Sequence, residues 1–123
     1  MEAGQRMRFM FRVSMLVGLI LLGGGCAAPT IYSWGHYEDL VYASYSNPDK
    51  SVPELQVQQL EADLQRARSG NKPVPPGFHA HLGNLYYQLN KRDQARQEFQ
   101  TEKSLFPESA VFMDRLLANL NKP

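Results

Sequence analysis

The chain has 123 residues, room for one domain, and its 43% hydrophobic and 20% charged residues are a globular balance that excludes wholesale disorder. A formal net charge of +1 offers no broad basic field for nucleic acid and no acidic block for cations. Setting aside residues 1–25, with three arginines and one glutamate, leaves ten basic and eleven acidic residues, so the remainder is close to neutral.

The chain opens with MEAGQRMRFMFRVSMLVGLILLGGGC. Arg6, Arg8 and Arg12 make a positive head, Val13 to Leu22 an apolar run, and small residues follow, which is the layout of a secretory signal peptide. The run has ten residues, whereas a spanning helix takes roughly 20, so export is expected rather than a permanent transmembrane anchor. Translation from Met1 or from Met7 leaves a basic head in either case.

Cys26 is the single cysteine, and an unpaired thiol is out of place in an oxidising compartment. Residues 1–27 resemble a bacterial lipoprotein signal, in which such a cysteine takes diacylglycerol on sulfur and becomes the mature N-terminus. Gly23 departs from the leucine most often found three residues before that cysteine. Ala27, where aspartate is absent, implies by the same resemblance a lipid anchor on the periplasmic side of the outer membrane. The alternative is a free thiol beside a conventional cleavage site. Each buried acyl methylene contributes about 0.8 kcal/mol, so several chains hold a small protein on a bilayer without a spanning helix. The expected division is a signal peptide over 1–25, a lipidated N-terminus and short tether over 26–31, and a helical domain over 32–123.

Four Pro- or Gly-marked breaks, SNPDKSVP, SGNKPVPPG, LNKRD and LFPES, divide that domain, and between them the apolar spacing is helical with no sustained period of two. Trp34, Tyr37, Val41 and Tyr45, with Leu40 beside them, predict a short first helix whose stripe faces the core. Ser51 and Glu54 are spaced as a capping box and Pro53 suits a first turn, predicting a second helix with Val57, Leu60, Leu64 and Ala67 on one face and Gly70 as a left-handed stop. A third helix is predicted from about Gly77 to Leu89. A fourth, capped by Asp93, runs to Leu105, and a fifth runs from Pro107 to about Leu120 with Phe112, Leu116, Leu117 and Leu120 sharing a face. The fold class is therefore all-α, a compact domain of about five helices.

Within residues 77–107, Leu82, Gly83, Tyr86, Ala95, Phe99 and Pro107 stand at the spacing of a tetratricopeptide repeat, so the segment resembles one unit of that family. Gly83 admits a close helix approach, Ala95 is its small counterpart, Leu82, Tyr86 and Phe99 fill the seam, and Pro107 ends the unit. His79 replaces a common aromatic, and Glu102 stands where a small residue usually receives the next helix. An unpaired buried carboxylate is costly, so Glu102 is expected either to face water beside Lys103 or to force another docking angle. No second copy is evident, which favours one repeat within a compact domain over a solenoid.

YSWGHYEDLVY, PPGFHAHLGNLYY and EKSLFPESAVFMDRLL also resemble a family of small bacterial lipoproteins, domain of unknown function 4810. That resemblance implies an envelope lipoprotein, often encoded beside a curli-secretion-type lipoprotein, and carries no activity with it.

Chemistry is weighed against packing in the same way. His79 and His81 lie about 200° apart on a helix, and no Cys or HExxH-type partner stands near, so a metal site is not expected. His36 is expected to be a lone surface or interface histidine. Glu38 with Asp39, Glu61 with Asp63, and Glu98 with Glu102 are pairs that solvated helix faces commonly produce. With no Gly-rich phosphate loop and no Ser-His-Asp set, neither catalytic residues nor a cofactor nor a small-molecule substrate is expected. Tyr32, Trp34 and Tyr42, close to Cys26, are candidates for a membrane or partner interface. Ala80, Asn84, Tyr87 and Gln88 lie away from the Leu82–Tyr86 line. By the tetratricopeptide resemblance they form the concave face that holds a partner. The expected function is a lipid-anchored adaptor binding other envelope proteins. The alternatives are a periplasmic cell-wall hydrolase and a purely structural outer-membrane lipoprotein.

Overall fold

Each segment with three- and four-residue apolar spacing is helical in the computed structural model, which describes residues 30–122. The helices are α1 Tyr37–Ser46, α2 Pro53–Ser69, α3 Phe78–Gln88, α4 Arg92–Leu105 and α5 Ala110–Leu120, with short 3₁₀ turns at Pro48–Lys50 and Pro107–Ser109. The described residues contain no strand and no helix long and apolar enough to cross a membrane. The signal segment and Cys26 lie outside the described residues.

One core joins all five helices. Leu60, Phe78, Leu82, Leu85 and Met113 are almost fully buried at its centre, with Tyr37 and Leu40 of α1 packed against it. Each such side chain contributes about 1.5–3 kcal/mol on burial. Helices α3 and α4 run antiparallel, because the Gly77 amide meets Glu102 at 2.6 Å while His79, further along α3, meets Glu98 at 2.6 Å. Their approach is close. A Cβ on Gly83 would lie 2.6 Å from the Phe99 ring, and Ala95 is fully buried in the same seam. Helix α5 returns antiparallel to α4, with Lys103 bonded to Asp114 at one end and Arg96 to Asn121 at the other.

Glu102 does not face water, the first of the two arrangements expected for it. It is 2% exposed, and its two oxygens accept from the Gly77 amide at 2.6 Å and the Ala80 amide at 3.4 Å. These N–H groups belong to the start of α3, where a helix has unpartnered donors and a positive dipole end. At this tight helix contact a carboxylate therefore caps the neighbouring helix. Tyr37 completes the corner, its hydroxyl 2.6 Å from where a Gly77 side chain would begin, and Gly77 has φ of 89°.

Helix ends differ from expectation in detail. Ser51 turns to Ser44 and Gln56 instead of capping, so the capping box does not form and Val52 occupies the N-cap of α2. Gly70 has φ of −84°, and the left-handed position is Asn71, with φ of 49°. Asp93 is not a cap, because α4 begins one residue earlier at Arg92. Pro107 opens an exposed turn after α4 and takes no part in the seam. In α1 the packed side follows Tyr37, Leu40 and Ser44, while Tyr45, about 80° round from Tyr37, is 85% exposed. Phe112 is 56% exposed because Met113, about 100° away, leads the buried side of α5.

Replacing Glu102 by alanine strands the Gly77 and Ala80 donors and is expected to cost about 1–3 kcal/mol, with Glu102→Gln, which keeps an acceptor, costing less. Urea unfolding of both variants checks this, and equal midpoints would show that the cap contributes nothing.

Candidate functional site

Helix α3 turns Phe78, Leu82, Leu85 and Tyr86 into the core, which leaves Asn84, Tyr87 and Gln88 exposed at three- and four-residue steps. This exposed strip is the floor of a groove with two hollows. One, of about 280 Å³, lies between Asn84 and Tyr87 of α3 and Leu116, Asn119 and Leu120 of α5. The other, of about 240 Å³, lies between Asn84 and Gln88 and the α1 side, where Tyr45 and Pro48 form its rim. Asn84 borders both hollows.

The walls are fixed by hydrogen bonds. Arg92 donates to the carbonyls of Leu120 and Lys122 at 3.2 and 3.1 Å, neutralising the carbonyl end of α5 and holding it against the start of α4. On the other side Gln56, only 4% exposed, bonds Ser44, Ser51 and, at 3.2 Å, His81, tying α1 and α2 to α3. The groove thus presents amides and a 45% exposed tyrosine over an apolar base. Such a surface suits a peptide or helix, with side-chain amides for backbone groups and Tyr87 as anchor. Ala80 does not belong to it. Its side chain packs on the core and its amide serves Glu102, so the expected four-residue set reduces to Asn84, Tyr87 and Gln88.

The aromatic residues near the chain entry separate. Tyr32 meets Trp34 edge-on at 6.3 Å, and Trp34 stacks at 6.4 Å on Tyr37, which packs on Phe78. Tyr42 stands apart on the outer side of α1, 73% exposed.

The titratable residues are also dispersed. His79 is buried against Glu98 at 2.6 Å, His81 lies with Gln56 and edge-on to Tyr37, and His36 meets Asp63. Among the described residues no three His, Cys, Asp or Glu side chains come together as potential metal ligands. Glu61 accepts from the Tyr86 hydroxyl, in a third depression of about 540 Å³ between α2, α3 and α4.

Two polar residues are central to this arrangement: Gln56, which the sequence did not single out, and Asp63, expected on a solvated face beside Glu61 and found buried. Both fall on the buried side of α2, at steps shared with Leu60 and Ala67, and a polar side chain in phase with an apolar stripe is the signal that marks them. Asp63 is 2% exposed and accepts from the His36 backbone N–H at 2.7 Å, from the His36 ring and from Arg66. His36 is the residue before α1, so Asp63 does for α1 what Glu102 does for α3. Gly35, with φ of 52°, is required there because a side chain would collide with the Asp63 carboxylate.

Burial raises the pKa of Asp63, but the His36 and Arg66 hydrogen bonds outweigh it and hold the carboxyl below its ordinary value. Burial lowers the pKa of His81 and raises that of Tyr37, where Glu102 adds to the effect. Tyr86 is raised by burial and by its bond to Glu61.

Fold and site together define a small all-helical domain with a shallow, amide-rich groove and a closed set of internal polar bonds. The chain belongs to the family described as Domain of unknown function (DUF4810), whose model matches residues 31–116. Neither a curated protein nor a solved structure matches it.

Because the folded pKa of Asp63 is depressed, its stabilisation is fully present above the unfolded value near 3.8 and is lost as pH falls through the lower, folded value. Asp63→Asn is expected to lose about 1–3 kcal/mol at pH 7, and the gap to the parent chain should close below that pH window. His81 acts at higher pH. It is neutral when folded, so acidification below its unfolded value near 6.5 costs stability until the folded protein also takes the proton. Thermal unfolding from about pH 7.5 to about pH 1.5 reads both steps, and a constant Asp63→Asn deficit across that range would contradict the first.

Proposed function

We propose that the protein is a lipid-anchored helical adaptor of the bacterial cell envelope, held on the periplasmic side of the outer membrane through Cys26 and binding other envelope proteins along α3. The observation that carries this reading is the groove: Asn84, Tyr87 and Gln88 lie exposed on one strip, with a hollow on either side and a wall of fixed position beyond each. A protein segment is the occupant that such a surface suits, since neither hollow gathers a set of reacting groups and each opens to solvent along its length.

The α3–α4 pair supports the same reading. Its close Gly83–Phe99 approach and buried Ala95 agree with what the tetratricopeptide resemblance implies, and in that family the face of α3 turned away from the seam commonly holds a partner. The anchor rests on the charged, apolar and small-residue order before Cys26. Family membership adds a class of partner, the curli-secretion-type lipoproteins often encoded beside these chains.

Mild crosslinking in native membranes followed by purification tests the adaptor role. Replacing Asn84, Tyr87 and Gln88 together by alanine is expected to cut partner recovery at least about tenfold, corresponding to about 1.4 kcal/mol of binding. Metabolic labelling with palmitate is expected to mark the parent chain and not Cys26→Ala. Undiminished recovery from the triple variant removes the groove assignment, and an unlabelled parent chain removes the anchor.

A further inference from the structure

A second surface, separate from the groove, stands at one end of the helices. Trp34 stacks on Tyr37 at 6.4 Å, and the Tyr37 hydroxyl abuts Gly77. The Gly77 amide reaches Glu102 at 2.6 Å, and Leu105 follows Glu102 by about 4.5 Å along α4. Lys103 bonds Asp114 at 2.5 Å, which places the first turn of α5 beside this same end of α4. The chain entry is here too, since the Ser33 amide bonds the Pro73 carbonyl just ahead of α3.

This end carries large apolar side chains that no helix covers. Ile31 is 75%, Leu105 55%, Val111 76% and Phe112 56% exposed, and Trp34, stacked on Tyr37, is 36% exposed. Scattered apolar exposure needs no explanation, but a cluster gathered at one end does. Cys26 precedes Ile31 by five residues, a reach of no more than about 18 Å. A lipid on that residue therefore keeps this end within about 18 Å of the bilayer.

We propose that this apolar end is a membrane-docking face, on which Trp34, Leu105, Val111 and Phe112 enter the headgroup boundary and fix the orientation of the domain. The occupant is a lipid surface, because the short tether limits what fits beneath it and because Trp suits a boundary that is apolar on one side and wet on the other. The Lys103–Asp114 pair is internally neutral and the turn between Leu105 and Val111 carries the exposed acid Glu108, so nothing at this end calls for anionic lipid and a zwitterionic surface is the one proposed. Docking leaves the α3 groove free for a partner. The inference rests on the lipid anchor of the proposed function, and the test separates the two.

Trp34 is the single tryptophan of the chain, so its emission reports on this face alone. The acylated protein from native membranes is reconstituted into phosphatidylcholine vesicles with and without brominated acyl chains, and vesicle flotation is measured on the same samples. At least twofold quenching of Trp34 by the brominated lipid is expected. A V111D and F112D double variant should still float, keep its unfolding midpoint because both positions are exposed, and lose at least half of that quenching. Flotation with unquenched Trp34, whether the face is wet or covered by a second copy or another protein, overturns the docking face and leaves the anchor standing. Failure to float overturns the anchor. Coupling a diacyl maleimide to the Cys26 thiol then restores a tether, and the same quenching comparison decides the docking face.

Discussion

None of the five helices carries a side-chain cap of its own, and this constrains the whole molecule. A helix start leaves four backbone donors unpartnered, and burying them unsatisfied is costly. Here two of the starts are served from a distance. Glu102 of α4 reaches the first amides of α3, and Asp63 of α2 reaches the amide that precedes α1. Both carboxylates are almost fully buried, and they sit where the dipole of the receiving helix favours a negative charge. The helices therefore depend on one another for their ends as well as for their apolar faces. The glycines follow from the same constraint. Gly35 leaves room for Asp63, and Gly77 leaves room for Tyr37 beside the Glu102 bond.

The apolar side of the fold was legible in the sequence, because it is periodic. Leu82, Tyr86, Ala95 and Phe99 are buried where helical spacing put them, and the number and order of helices follow from the proline and glycine breaks. The polar side was not, because long-range bonds have no period. Glu102 reads as a solvated acid until its partner, 25 residues earlier, is known to lie at a helix start. Ser51 and Glu54 have the spacing of a cap, yet Gln56 draws Ser51 into a network with Ser44 that only the tertiary structure supplies. Tyr45 and Phe112 show a related limit. A stripe judged by three- and four-residue steps is wide enough to include residues at its edge, and the angle that decides their burial is set by the neighbouring helix.

The site was partly legible for the same reason. Asn84, Tyr87 and Gln88 are exposed as the complement of the buried side of α3, so locating the core located them. Ala80 leaves the strip because its surroundings are set by Glu102, and Tyr42 stands exposed but apart from Tyr32 and Trp34 because α1 turns it away from that pair. The histidines illustrate how far residue type alone falls short of chemistry. Each is bonded to a different partner in a different place, and the reason lies in which helices cross there.

The contacts at the chain entry also set how force travels. Whatever pulls on the domain from residue 30 meets first the Ser33–Pro73 backbone bond, then the clasp of Asp63 on His36 with Arg66 behind it, and only then the Tyr37–Phe78 contact and the core. These restraints lie in series on the side of the tether. The α3–α4 seam and the hollow beside α5 stand behind them, out of that line. A pull from the chain entry therefore loads α1 first, and with it the Tyr45 and Pro48 rim of one hollow, before it reaches the α3–α4 seam and the hollow beside α5.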